Sequence, residues 1–298
     1  MIGTRYARVQ LSVSPLRSVS GTVVGGLRNL RPRSIEDLFS DRQRMMASAV
    51  REEKRPGLFV FAAHERFGHL ARLWLEASEA PRAGTVGRHD EVDLALPVDE
   101  SLSLRHLLFI VRRAKGSVHF SALDLETPGG VQLESGQPVR LVESMGALFL
   151  RASEFVFFCV PTGQPVPWNP DDAQPWSTLL PRVARHVESP DEPVPGRPIG
   201  KLEVRGLAGA RGFRIDADSL RRGVLVGRAD RCDVRLPLQS ISRVHAVLLQ
   251  LGDETFLVDA GSTNGIWQDE RQVRIEQLVD GVTFDLGREA SLRWQGEH

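Results

Sequence analysis

The same punctuation stands twice along this 298-residue chain, at a nearly constant offset of about 140 residues, and such self-similarity means two copies of one structural unit. Gly87-Arg88 matches Gly227-Arg228. Sixteen residues after the first glycine comes Ser103-Leu104-Arg105-His106, and fifteen after the second comes Ser242-Arg243-Val244-His245. Asp124-Leu125-Glu126-Thr127-Pro128-Gly129-Gly130 then stands where Asp259-Ala260-Gly261-Ser262-Thr263-Asn264-Gly265 stands in the second copy. Any fold for the chain has to serve both halves.

Both halves have the texture of an all-β protein. Leu58-Phe59-Val60-Phe61, Leu107-Leu108-Phe109-Ile110-Val111 and Phe155-Val156-Phe157-Phe158 in the first, with Ala246-Val247-Leu248-Leu249 and Thr255-Phe256-Leu257-Val258 in the second, are short β-branched, aromatic and aliphatic runs bounded by turn residues. The copies take residues 58–160 and 200–298. Residues 161–199 hold ten of the eighteen prolines and read as an extended, semi-rigid linker. Before the first copy, Ser34 precedes Asp37 in a capping-box arrangement, and Ile35, Leu38, Phe39, Met45, Met46, Ala49 and Val50 recur at helical spacing until Pro56-Gly57. Residues 34–57 are therefore one amphipathic helix, expected to pack on the neighbouring copy.

Net charge is zero, 38 basic against 38 acidic side chains, which speaks against bulk binding of nucleic acid. The charge is segregated. Residues 1–33 carry six arginines and no acid, and with no apolar period they read as a disordered tail; their composition also fits a transit peptide, but no apolar core marks a secretory signal. No apolar run is long enough for a membrane span. Cys159 and Cys232 form no metal or disulfide framework, so a reducing, cytoplasmic setting is expected. Between Arg221 and Arg243, six arginines (221, 222, 228, 231, 235 and 243) face two acids, Asp230 and Asp233, giving a local +4.

With Gly-Arg, Ser-Arg-x-His and Asp-x-Gly-Ser-Thr-Asn-Gly present in order, residues 200–297 resemble the forkhead-associated (FHA) domain family. The resemblance implies an eleven-stranded β-sandwich whose loops at one end bind a phosphothreonine peptide. By the same resemblance Ser242 donates its hydroxyl to the phosphate, Arg228 and Arg243 supply charge and hydrogen bonds, and Thr263 and Asn264 hold the ligand's backbone. Gly227, Gly261 and Gly265 serve the geometry of the loops, and Asp259 that of the turn. His245 is expected to be a neutral imidazole tying two loops together, the alternative being a catalytic base. The chemistry fits a phosphate, which brings about −1.5 to −2 charges and three acceptor oxygens, matched by the planar arginine fork.

In the first copy Arg88, Ser103 and His106 persist, but Leu104 replaces the arginine, and Pro128 and Gly129 replace the threonine and asparagine. Losing two or three charge-assisted contacts, each worth about 1.5–3 kcal/mol, weakens binding by orders of magnitude. Arg105 stands one residue too late to compensate, because neighbours on a strand point to opposite faces. This copy reads as degenerate, a docking or dimerising module. The chain is thus expected to hold two FHA-like sandwiches joined by a Pro-rich linker.

Enzymatic readings fail on spacing. His64 and His69 are five apart, not the i,i+4 of a zinc-protease helix, and are expected on loops or the surface; His89, His106, His119, His186 and His298 form no ligand cluster. There is no phosphate-loop or nucleophile-elbow motif, and Cys232 reads as a packing residue rather than an activated thiol. No enzyme, cofactor or metal is expected. The expected function is a phosphothreonine-reading adaptor whose partner is a Ser/Thr kinase or its substrate. The alternatives are a scaffold whose copies bind unphosphorylated surfaces or form a homodimer, and a regulator using the Arg-rich tail on nucleic acid, though nothing supports sequence-specific binding. Thr4, Thr22, Thr162 and Thr178 are candidate phosphorylation sites that, once modified, would occupy the second copy's site from within.

Overall fold

The computed structural model describes residues 32–67, 70–97, 99–169, 171, 183–187, 196–206, 209–287 and 289–296. Residues 1–31, which hold most of the Arg-rich tail, lie outside them, as do His69, His298, Thr4, Thr22 and Thr178. The sequence from Pro32 onward forms one unit.

Among the described residues, one helix precedes the first set of strands. Helix α1 (Ile35–Glu52) is capped by Ser34, whose hydroxyl accepts from the Asp37 N–H at 3.0 Å. Strands β1 (Gly57–His64), β2 (Leu70–Glu76), β3 (Arg82–Gly87), β4 (Leu94–Ala95), β5 (Leu107–Ala114) and β6 (Ser117–Asp124) follow. Then come β7 (Val131–Leu133), β8 (Pro138–Val139), β9 (Leu141–Ser144), β10 (Leu148–Ala152), β11 (Phe155–Thr162) and β12 (Val183–Val187). They form two six-stranded sheets, β2-β1-β11-β10-β7-β8 and β12-β9-β6-β5-β3-β4.

The second copy repeats the plan. It comprises β13 (Pro198–Gly206), β14 (Gly209–Asp216), α2 (Ala217–Arg222), β15 (Val224–Gly227), β16 (Val234–Arg235), β17 (Ala246–Leu251) and β18 (Glu254–Asp259). It closes with β19 (Ile266–Gln268), β20 (Arg271–Val273), β21 (Ile275–Gln277), β22 (Thr283–Leu286) and β23 (Ala290–Gly296). Its sheets are β14-β13-β23-β22-β19-β20 and β16-β15-β17-β18-β21. The copies agree in register as well: β3 and β4 pair in parallel with Val86 opposite Leu94, and β15 and β16 with Val226 opposite Val234.

Strand periodicity explains how these sheets stack. Along β1, Leu58, Val60 and Ala62 enter the first sandwich's core while Phe59, Phe61 and Ala63 pack under α1 with Phe39, Met46 and Val50. Strand β11 does the same, Phe155 and Phe157 inward, Val156 and Phe158 toward the helix. In β5, Leu107, Phe109 and Val111 fill the core, whereas Leu108 and Ile110 meet Val247 and Leu249 of β17. On β17 the alternate residues Ala246 and Leu248 belong to the second sandwich's own core. Five layers result: helix, sheet, sheet, sheet, sheet. The runs that read simply as strands are continuous in apolar residues because both their faces are covered.

Four expectations are corrected. Within the stretch read as a linker, β11 continues to Thr162, Trp168 is buried beside Phe39 at 5.2 Å between rings, and Val183–Val187 pairs antiparallel with β9. Thr162 is 1% exposed and donates to the Arg55 carbonyl at 2.8 Å, so it is no kinase target in the folded chain. His64 is fully buried at the end of β1 rather than on the surface, packed against Phe155. Met45, given to the apolar face of α1, is 49% exposed.

The two copies meet through equivalent sheets. Leu108, Ile110, Leu123 and Leu141 pack against Leu225, Val247, Leu249 and Val258. At the rim, Arg140, just before β9, donates to the Arg222 and Gly223 carbonyls at 3.1 and 2.8 Å and lies 3.5 Å from the Asp233 carboxylate. Its counterpart Arg274, just before β21, pairs with Asp93, the counterpart of Asp233. Each copy thus offers an arginine to the other's aspartate, the reciprocity of a two-fold contact realised within one chain. Arg112 adds an ion pair to Glu254 at 3.5 Å. No helix among the described residues is long and apolar enough to cross a membrane.

Candidate functional site

Three loops of the second sandwich converge: the one after β15, the one before β17 and the turn after β18. Backbone bonds join the first two, Arg228 N–H to the Ser242 carbonyl at 2.9 Å and Ala229 N–H to the Arg243 carbonyl at 3.0 Å. Gly227 is required by this closeness. A methyl group there would sit 2.3 Å from the Arg243 carbonyl oxygen. Gly87 in the first copy would meet the Leu104 carbonyl at the same 2.3 Å, so the glycine is kept for packing of loops whether or not the arginine remains.

His245 ties the second loop to the third. Its Nδ1 accepts from the Ser242 N–H at 3.1 Å and its Nε2 lies 3.1 Å from the Gly265 carbonyl, as a neutral ring with a proton on Nε2 requires. Burial drives its pKa down to about 4. A ring with both nitrogens engaged inside the loops is a brace and not a base for an outside substrate. His106 repeats the arrangement, Nδ1 to the Ser103 N–H at 3.2 Å and Nε2 to the Gly130 carbonyl at 3.2 Å, and burial lowers its pKa too.

These braces make stability depend on pH. The unfolded chain titrates His245 near 6.5 and the folded chain near 4, so its contribution is complete above about pH 6.5 and is lost as pH falls toward 4, about 3 kcal/mol in all. Asp124 and Asp259, whose carboxyls burial pushes up, act in the opposite sense within the carboxylate range. The expected result is a shallower fall in denaturant stability between these pH values for His245→Asn than for the wild-type chain, since asparagine Oδ1 can still accept from Ser242. An unchanged slope would remove His245 as the cause.

Ser242 is 9% exposed, and its Oγ accepts from the Thr263 N–H at 3.1 Å. Accepting there leaves the hydroxyl proton to donate elsewhere. Arg228 and Arg243 flank it and are exposed; Arg228 spends only its Nε, on the Ile241 carbonyl at 3.1 Å. Thr263 and Asn264 are exposed on the third loop, where Gly261 and Gly265 take φ of 79° and 74°. Asn264 does more than the sequence suggested. Its Nδ2 donates to the Ser240 carbonyl at 2.8 Å, so the amide bridges two loops before any ligand arrives. Asp259 accepts from the Ser262 N–H at 2.6 Å, as a turn residue should.

The +4 stretch does not act as one patch. Arg221 and Arg222 belong to α2, at the end of β15 away from Arg228, and Arg221 pairs with Asp218 at 2.7 Å. Arg235 pairs with Asp230 at 2.5 Å, and Asp233 faces Arg140 of the first copy. Arg228, Arg231 and Arg243 remain as the exposed cations of the loops. Cys232 donates its thiol to the Arg243 carbonyl at 3.1 Å, and burial raises its pKa to about 11, which makes it a packing residue and no nucleophile.

In the first copy the scaffold persists with fewer donors. Arg88 Nε reaches the Leu102 carbonyl at 3.2 Å as Arg228 reaches Ile241, but Leu104, Pro128 and Gly129 offer no side-chain donor. Thr127 is turned inward, with its Oγ 2.7 Å from His106 Nε2 and donating to Asp124 at 2.9 Å.

Loop geometry and motif order together define a β-sandwich domain with three braced loops at one end. Residues 224–287 match the family model of the FHA domain, so the second sandwich is an FHA domain. The first, built on the same sheets and braces, is FHA-like. Among solved structures, the chain is similar to the FHA-1 domain of Mycobacterium tuberculosis Rv1747, at 27% identity over 34% of this chain and 99% of that one, TM-score 0.28. It is also similar to the FHA domain of Chlamydia trachomatis CT664, at 23% identity over 34% of this chain and 99% of that one, TM-score 0.30. A structure of Mycobacterium tuberculosis EmbR in complex with a low affinity phosphopeptide matches at 23% identity over 33% of this chain and 26% of that one, TM-score 0.28. Compared with curated proteins, the chain has no match.

Proposed function

We propose that the chain is a non-enzymatic adaptor whose second sandwich binds a phosphothreonine on a partner, a Ser/Thr kinase or a substrate of one. The observation that carries this reading is the Ser242 hydroxyl, fixed by Thr263 and free to donate, between the exposed guanidinium groups of Arg228 and Arg243. Donors held on braced loops suit three acceptor oxygens and a charge near −2. Thr263 and Asn264 line the path of the peptide backbone.

The test is binding of the full-length chain to matched threonine and phosphothreonine peptide libraries. Selective retention of phosphorylated sequences is expected, and equal binding of both forms would end the proposal. Affinity should fall below about pH 6, where the phosphate gains a proton, while His245, titrating near 4, is still neutral. Arg88→Ala in the first copy should leave affinity within about twofold, because that copy lacks the neighbouring donors.

The scaffold reading gains one observation, the apolar contact between the copies, which joins two unphosphorylated surfaces. It requires a concentration-dependent dimer that ignores phosphopeptides, visible by light scattering.

A further inference from the structure

Arg105 occupies the position of the first copy that corresponds to Val244 in the second. Val244 is buried in the contact between the copies, where an apolar side chain suits its neighbours. An arginine at the equivalent place needs a reason. Its guanidinium reaches across to the second sandwich: a methyl group at Gly261 would meet Arg105 Nε at 3.3 Å and Thr85 Oγ1 at 3.4 Å. Gly261 begins the turn that presents Thr263 and Asn264.

The electrostatics point the same way. The charge of Arg105 acts on Asp259, Arg243 and His245, all on the loops of the second copy, and burial pulls its own pKa down. Its Nε is buried with no hydrogen-bond acceptor among the described residues. Such a group is costly to hold there; Asp259 and Glu91 offset part of the cost and Arg243 adds to it, so an anion sharing the space with Arg243 would relieve it. Glu91, from the first copy's own loop, is the remaining charge that it feels.

We propose that Arg105 is a positioning residue for the phosphothreonine site, supplied by the degenerate copy across the internal contact: it backs the Gly261 turn and adds positive field where the phosphate binds, so that full affinity needs both copies docked. This rests on the phosphothreonine reading above. The first copy, with three of its own ligand positions replaced, lends a cation to its neighbour.

The experiment measures affinity of the full-length chain for a fluorescent phosphothreonine peptide, at low and high ionic strength, for wild type, Arg105→Gln and Arg105→Lys. Arg105→Gln should bind about three- to tenfold more weakly at low salt, with the gap narrowing at high salt, and Arg105→Lys should recover most of the loss. Glutamine binding as well as arginine would overturn the inference. So would lysine and glutamine failing equally, which would reduce Arg105 to a spacer. Wild-type chain that binds the unphosphorylated peptide equally would instead overturn the reading beneath it.

Discussion

Alanine at Ser242 is expected to lower affinity for a phosphothreonine peptide by about 10- to 150-fold, the worth of one hydrogen bond to a charged group. The substitution removes the hydroxyl donor and also the acceptor that fixes the Thr263 N–H at 3.1 Å, so the turn loosens as the phosphate loses its contact. Arg228→Ala should cost as much by a different route. Its Nε bond to the Ile241 carbonyl holds the guanidinium in place, and the rest of the fork is what an anion would use. Isothermal titration of the full-length variants measures both. Folding is checked separately by thermal unfolding, where Arg228→Ala, at an exposed side chain, should cost less than about 1 kcal/mol and Ser242→Ala, at a buried one that loses its bond to the Thr263 N–H, about 1–2 kcal/mol. Affinity unchanged in both variants would mean that the ligand lies elsewhere.

Arg140→Ala carries the largest expected effect on stability. The residue is 8% exposed and its side chain holds the Arg222 and Gly223 carbonyls at 3.1 and 2.8 Å, with the Asp233 and Glu126 carboxylates beside it. Truncation strands two carbonyls and takes the cation from Asp233 and Glu126, whose carboxylates are partly solvated, a loss of about 2–4 kcal/mol. Because the bonds cross between the copies, the loss should fall on their contact. Urea unfolding of the variant is expected to resolve two transitions where the wild-type chain unfolds in one. A single transition displaced by less than about 1 kcal/mol would show that the contact contributes little.

How much of this was readable without coordinates depends on whether a signal is local. The loop motifs are local: Gly227 with Arg228, Ser242 with His245, and Asp259 with Gly265 lie within a few residues of one another, and their roles as brace, close approach and turn follow from residue type. The strands were readable too, because β-branched and aromatic runs suit a pleated surface. What the runs could not say is which layer covers each face. Leu107–Val111 and Ala246–Leu249 are apolar at every position, which announces burial on both sides, yet a helix, a second sheet or another chain would satisfy them equally.

The charged contacts were out of reach for a related reason. Arg140 and Asp233 are separated by 93 positions, and nothing near either residue marks a partner. Arg105 was judged by its neighbours in sequence and found misaimed for its own loops. Arg105 lies in a bend before β5 begins at Leu107, so strand alternation does not decide its direction, and its Nε sits beside Gly261 of the other copy. Proline density misled at Val183–Val187, since prolines exclude a strand only at the positions they occupy and none falls within those five residues.

Strand β12 has one more consequence. By returning the chain to the first sandwich as far as Val187, it leaves ten residues, 188–197, before β13 begins at Pro198. Ten residues span at most about 35 Å, so the two sandwiches are leashed closely even when their contact opens. A leash of that length holds the partners at an effective concentration near the millimolar range, whatever the concentration of the protein. Weakening the contact therefore makes the molecule breathe and not dissociate, and dilution alone cannot pull Arg105 away from the neighbouring loops.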